Sequence, residues 1–304
     1  MSTVEQILKK NRPNLSQGSI RTYTSIIKNL GKEMKQDFSE PQFILKHHKE
    51  ILEHLENTPP KLRKTRLASL VVFLSKEEKA EDVLKKFREL MADDRKVAED
   101  ESKEQKLTDR QKQGWVDWDF VLQKYEELKK EVTPLLKQSS LDKKQFNRVQ
   151  IFVLLSCLIL IPPRRSLDWT SFKIRNVDKE KDNHLELIKK KPYFIFNTYK
   201  TVSKYGQQKE LIPNNLHQII KSWIKLNPND YLLMNYNQSK SISPTQLTHL
   251  LHGFFDKPIS TSLLRHIYLT HKYGNLPAIK EMEATASSMG HDLTTALTTY
   301  VKKE

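Results

Sequence analysis

Residues 93–106 constrain the architecture more than any other part of the chain. Ten of these fourteen positions are charged: Asp93, Asp94, Arg95, Lys96, Glu99, Asp100, Glu101, Lys103, Glu104 and Lys106. A segment this polar buries no core face, so it reads as a linker or a solvated helix extension. It divides 304 residues into two parts, each near the usual size of a domain. The expected division is a helical unit over 1–92, a charged linker over 93–114 and a second unit over 115–304.

The first part has a helical period. Ile20, Tyr23, Ile27, Leu30 and Met34 recur at three- and four-residue spacing and share one face, as do Ile51, Leu52 and Leu55. Leu67, Leu70, Val71 and Leu74 repeat the pattern, as do Val83, Leu84, Phe87, Leu90 and Met91. Pro59 and Pro60 punctuate the chain between two of these helices.

In the second part, a helix around Trp118, Val121, Leu122, Tyr125 and Leu128 precedes a buried one over 146–161, stopped by Pro162 and Pro163. The period then changes. Segments 171–177, 184–188, 193–197 and 209–212 read as short strands of a small antiparallel sheet. Helices resume with Leu216, Ile219, Ile220 and Trp223, then at Ser243, Pro244, Thr245 and Gln246, which spell a capping box with proline in the first turn. Further helices are expected near 261–273, 277–288 and 292–302. The fold class is mainly α with a small antiparallel β-sheet (α+β).

The formal net charge of +15 favours a polyanionic partner, nucleic acid before membrane surface. The apolar run around the single cysteine, Cys157, spans 151–161, short of the ~20 residues a membrane helix needs, so Cys157 reads as core. A lone cysteine and an N-terminus without a signal-type apolar stretch suit an intracellular protein. No metal-ligand spacing stands out: His249 and His252, and His47 and His48, lack Cys or carboxylate partners. With no glycine-rich phosphate loop, neither metal nor nucleotide cofactor is expected.

A dispersed set of Arg, Lys, His and Tyr carries the chemistry. Met289, Gly290 and His291 are followed by Thr294 and Thr295, with Tyr300 nine residues after the histidine (300 − 291 = 9). Leu264, Arg265 and His266 stand in an expected helix. Arg164 and Arg165 follow the buried helix, and Arg165, Asp168 and Phe172 keep a spacing of three and four, with Arg164 as the competing register. Tyr199, Lys200 and Thr201 lie in an expected inter-strand turn. From about Trp115 onward this order resembles the tyrosine recombinase and integrase family, closest in look to members from large DNA viruses and related mobile elements.

The resemblance implies a helical DNA-binding domain ahead of a recombinase-like catalytic domain. It implies that double-stranded DNA is cut and rejoined through a 3′-phosphotyrosine at Tyr300. Arg165 and Arg265 would clamp the scissile phosphate, Lys200 on a mobile hairpin would protonate the leaving 5′ oxygen, and His291 would assist. These residue types suit the reaction: guanidinium forks match phosphate oxygens and stay charged, and a phosphotyrosine ester stores the bond energy, so rejoining needs no ATP. The family usually has His three positions before the second arginine; here Ser262 stands there, a poor base at neutral pH. Arg63, Lys64, Arg66, Lys189, Lys190, Lys191 and Lys204 are candidate DNA contacts or solvated lysines and arginines. A monomer in solution that assembles to a tetramer on DNA is expected. A type IB topoisomerase, or a DNA-binding protein of this fold without activity, are the alternative functions.

Overall fold

The computed structural model describes residues 3–290 and 292–297. The chain divides into two units, Met1–Lys106 with Pro277–Glu304, and Leu107–Leu276.

In the first unit the helical periodicity becomes α1 (Thr3–Asn11), α2 (Gln17–Met34), α3 (Pro41–Lys46), α4 (His48–Leu55), α5 (Pro60–Leu74) and α6 (Glu81–Lys103). Their apolar stripes close on a core that includes Leu8, Ile27, Leu30, Ile44, Ile51, Leu55, Leu67, Leu70, Phe73 and Phe87. Ser16 caps α2 by accepting the Ser19 N–H. Pro60 opens α5, where its missing N–H costs nothing. The charged run is helical through Lys103, as the extension of α6. One of its acids, Asp94, is buried and takes the Arg63 guanidinium. α15 (Ile279–Ser288) belongs to this unit: Lys103 pairs with Glu283 at 3.0 Å, and Gln105 accepts the Ile279 N–H at 3.1 Å.

The second unit starts with α7 (Asp109–Gly114) and α8 (Trp118–Val132), then α9 (Lys143–Ile159). From Ile151 on, α9 is apolar nearly all round because this part runs through the core, with Tyr125 and Val121 of α8 and Trp223 in the same cluster. Its buried Gln150 is satisfied in both directions by the Met234 backbone, at 2.9 and 2.6 Å. α10 (Ser166–Thr170) follows the proline pair. The sheet is antiparallel in the order β1 (His184–Ile188), β2 (Lys191–Phe196), β3 (Gln208–Leu211), with α11 (Val202–Tyr205) between β2 and β3. Trp169, Phe172, Phe194 and Phe196 form an aromatic cluster between α10 and the sheet, ring centroids 5.2–6.2 Å apart. α12 (Asn214–Leu226), α13 (Pro244–Phe255) and α14 (Thr261–Tyr273) complete the unit. The capping box expected at Ser243 is present, with reciprocal bonds of 3.2 and 3.1 Å to Gln246.

The segment expected as a strand at 171–177 is not one. It makes only single bridges at Lys173, and three of its N–H groups go to carbonyls outside any strand: Lys173 to Asn183, Ile174 and Arg175 to Asp230. Asn176, at φ 49°, turns the chain out of the extended region. Of the helix expected over 292–302, α16 (Leu293–Thr295) is described, and residues 298–304 lie outside the described residues. Among the described residues no helix is long and apolar enough to cross a membrane.

Candidate active site

Two prolines end the approach from α9, and the next residues set the site. Arg165 is extended (φ −72°, ψ 154°) and starts α10; its carbonyl accepts the Asp168 N–H at 3.0 Å. That conformation sends the adjacent Arg164 and Arg165 to different tasks.

Arg164 makes an ion pair, a second hydrogen bond and a ring contact. Its Nε donates to Asp168 Oδ2 at 2.8 Å and its Nη2 to Gln208 Oε1 at 2.9 Å. Its guanidinium carbon lies 3.8 Å from the Phe196 ring centroid and 5.5 Å from that of Tyr199. Arg165 is half-buried, and its side chain has no hydrogen bond or ion pair among the described residues. Arg265, from the second turn of α14, is likewise half-buried and unpaired among them. Arg164, Arg165 and Arg265 line one cleft of about 350 Å³ with Pro162, Pro163, Asp168, Tyr199, Thr201, Tyr205, Gln208 and Glu210.

The electrostatics follow from this crowding. Burial lowers the Arg265 pKa, and the nearby Arg165 charge lowers it further against a raising pull from Asp168. Burial pushes the Asp168 carboxyl up, opposed by Arg164 first and then by Arg165 and Arg265. Asp168 is 2% exposed, and its Oδ1 has no partner among the described residues.

Lys200 sits exposed on the connection between β2 and β3, beside the cleft-lining Tyr199 and Thr201. The mobile hairpin expected there is internally braced. The Tyr199 hydroxyl donates to the Gly206 carbonyl at 2.7 Å, across the loop. The buried Asn183 accepts the N–H groups of Asn197 and Thr198 at 2.9 and 2.8 Å and donates to the carbonyls of Asp168 and Thr198 at 3.0 and 2.8 Å. Arg164, Asn183, Tyr199 and Gln208 thus support the site. Arg164 was weighed only as the rival phosphate ligand and Tyr199 noted only as the neighbour of Lys200; Asn183 and Gln208 were not selected from sequence, because their partners lie 14 to 44 residues away.

Ser262 is exposed in the first turn of α14, three residues before Arg265. His291 and Tyr300 lie outside the described residues. The remaining candidate contacts do not join the cleft. Arg63 is committed to Asp94 through Nε (3.0 and 3.1 Å) and Nη2 (2.5 Å), and its Nη1 to the Glu56 carbonyl at 2.8 Å. Arg66 is paired with Glu33 at 2.8 and 3.1 Å, and Lys64 is half-buried beside them in sequence. Lys189, Lys190 and Lys191 are exposed at the β1–β2 turn, the end of β2 away from Lys200. Lys204 is exposed on α11. Among the described residues no group of three or more His, Cys, Asp or Glu is placed to hold a metal ion. No protein-family model matches the chain, and no curated protein sequence matches it.

Proposed function

We propose that this chain cuts and rejoins double-stranded DNA as a tyrosine recombinase does, with Tyr300 as nucleophile. The observation that carries the reading is the pair of half-buried arginines, Arg165 and Arg265, brought from separate elements to one cleft without a carboxylate ion pair among the described residues. A desolvated cationic pair of this kind is preorganised for an anion with several equatorial oxygens, and a phosphodiester in an in-line displacement is such an anion. The Tyr300 oxygen bonds to phosphorus as the bond to the 5′ oxygen breaks. The departing electron pair takes a proton from the Lys200 ammonium, and the phenol proton is lost to water. The charge of +15 and the exposed lysines supply attraction for the DNA backbone.

The test is covalent capture. Purified protein is mixed with nicked duplexes of randomised sequence, whose cleaved fragment diffuses away, and complexes stable to boiling in detergent are collected. The expected result is a complex whose attached peptide contains Tyr300, formed in EDTA without nucleotide, and absent with Tyr300→Phe. A complex mapped to another residue, or none from the wild type, rejects the reading. Relaxation of supercoiled plasmid without any sequence enrichment would mark a topoisomerase instead.

A further inference from the structure

Two of the partners of Arg164, Phe196 and Gln208, stand at the two ends of the loop that carries Lys200. β2 ends at Phe196, on whose ring the guanidinium stacks at 3.8 Å. β3 begins at Gln208, whose side-chain oxygen accepts from Nη2 at 2.9 Å. Tyr199, the residue before Lys200, presents its ring 5.5 Å from the same guanidinium. A second hydrogen bond, from Nε, goes to Asp168 in α10, and the chain neighbour of Arg164 is Arg165. One planar cation therefore joins both ends of the 197–207 connection to the turn that presents the first phosphate-facing arginine.

We infer that Arg164 is a positioning residue for leaving-group protonation, fixing Lys200 relative to the Arg165 and Arg265 pair. The inference rests on the recombinase reading above. A lysine at 164 would supply the charge but neither the fork nor the flat face that makes two directed bonds and a stack at once. Arg164 differs from Arg165 and Arg265 in that its Nε and Nη2 are already given to Asp168 and Gln208 and its face to Phe196. With the staple gone, Asn183 and the Tyr199–Gly206 bond still close the loop, but its β3 end is released from α10. A proton donor displaced by about 1 Å loses about 10²-fold in rate, within the 10²–10⁴-fold that a general acid contributes.

A duplex recovered in the capture experiment, made with either oxygen or sulfur at the bridging 5′ position of the scissile phosphate, separates the roles. A thiol titrates near pH ~8.5, so the sulfur leaves without a donated proton. Arg164→Ala and Lys200→Ala are expected to cleave the oxygen duplex about 10²-fold more slowly than wild type, and the sulfur duplex within a few-fold of it. Arg165→Ala stays slow on both. Amide hydrogen exchange of residues 197–207 in the DNA-free protein should quicken in Arg164→Ala and in Gln208→Ala. The second variant carries the test if the first fails to fold. Equal slowing of Arg164→Ala on both duplexes, a wild-type rate on oxygen, or unchanged exchange in the loop overturns the inference while leaving the recombinase reading intact. If wild type forms no tyrosine-linked complex, that reading falls, and the inference with it.

Discussion

Arg63 separates two accounts of the same residue. As a surface arginine beside Lys64 and Arg66, it reads as a DNA contact. In the structure it is the only cation paired with Asp94 among the described residues, and that carboxylate is 1% exposed. The Asp94 hydrogen bond is also the main reason the Arg63 pKa is raised. Truncating Arg63 to alanine strands a buried carboxylate, for which about 3–5 kcal/mol is typical. Arg63 itself keeps 17% of its side chain in solvent, so water can enter the space it leaves, and the low end applies, about 3 kcal/mol. At roughly 4 °C per kcal/mol for a unit of this size, the melting point of the first unit should fall by about 12 °C. All four tryptophans (115, 118, 169 and 223) lie in the second unit, so circular dichroism should report the shift while the tryptophan fluorescence transition stays in place. Replacing both partners by apolar residues, Arg63→Met with Asp94→Leu, should recover most of the loss. The dependence of log K on log salt for DNA should keep its slope, whereas a lost phosphate contact would reduce it by about 0.9. An unchanged melting point together with a slope lower by one unit would refute the structural account.

Gly114 has no room for a methyl group: a Cβ would lie 2.8 Å from both the Pro258 carbonyl oxygen and the Leu263 Cδ2. Gly114→Ala should therefore lower the stability of the second unit by about 1–3 kcal/mol in urea titration monitored by tryptophan fluorescence. Lys189 and Lys190 occupy both central positions of the β1–β2 turn at φ 49° and 66°, where Asn-Gly is preferred. Lys189→Asn with Lys190→Gly should raise stability by about 1 kcal/mol in the same titration, and should weaken DNA binding with a shallower salt slope if these lysines meet phosphates. Glu210 is a carboxylate lining the cleft, so Glu210→Gln should tighten DNA binding several-fold at low salt and less at high salt, measured by fluorescence anisotropy.

What was legible in the sequence was whatever a local pattern encodes. α14 begins and ends where its apolar spacing places it, and α13 starts at its capping box. The segment at 171–177 misled because alternation marks an extended chain but not whether a neighbouring strand is there to pair with it, and Asp230 and Asn183 take its N–H groups instead. Pairing across distance was hidden too. Asp94 belongs to a run whose composition announces solvent, and its partner lies 31 residues earlier. The different surroundings of Arg164 and Arg165 depend on one backbone conformation at Arg165 and on Gln208, 44 residues beyond Arg164, and neither leaves a trace in the motif.

The arrangement around Asp168 has a consequence for the charge that a bound phosphate would meet. The cleft holds three arginines and two carboxylates, a formal balance of 3 − 2 = +1. If Asp168 drew its compensation from Arg165, one arm of the clamp would be spent on a residue that never contacts the substrate. Burial disfavours the Asp168 anion, and Arg164 is the strongest influence opposing that shift. Arg164 therefore works against the loss of the Asp168 charge while leaving Arg165 unpaired among the described residues, and the acid in turn holds Arg164 against Phe196 and Gln208. The two adjacent arginines are not redundant: a swap of their roles would need Arg165 to give up the cleft and Arg164 to give up an aromatic stack and two charge-assisted or polar bonds. A guanidinium with that many directed partners is the less mobile of the pair. In the proposed reading, the phosphate-facing role belongs to its neighbour, which is unpaired among the described residues.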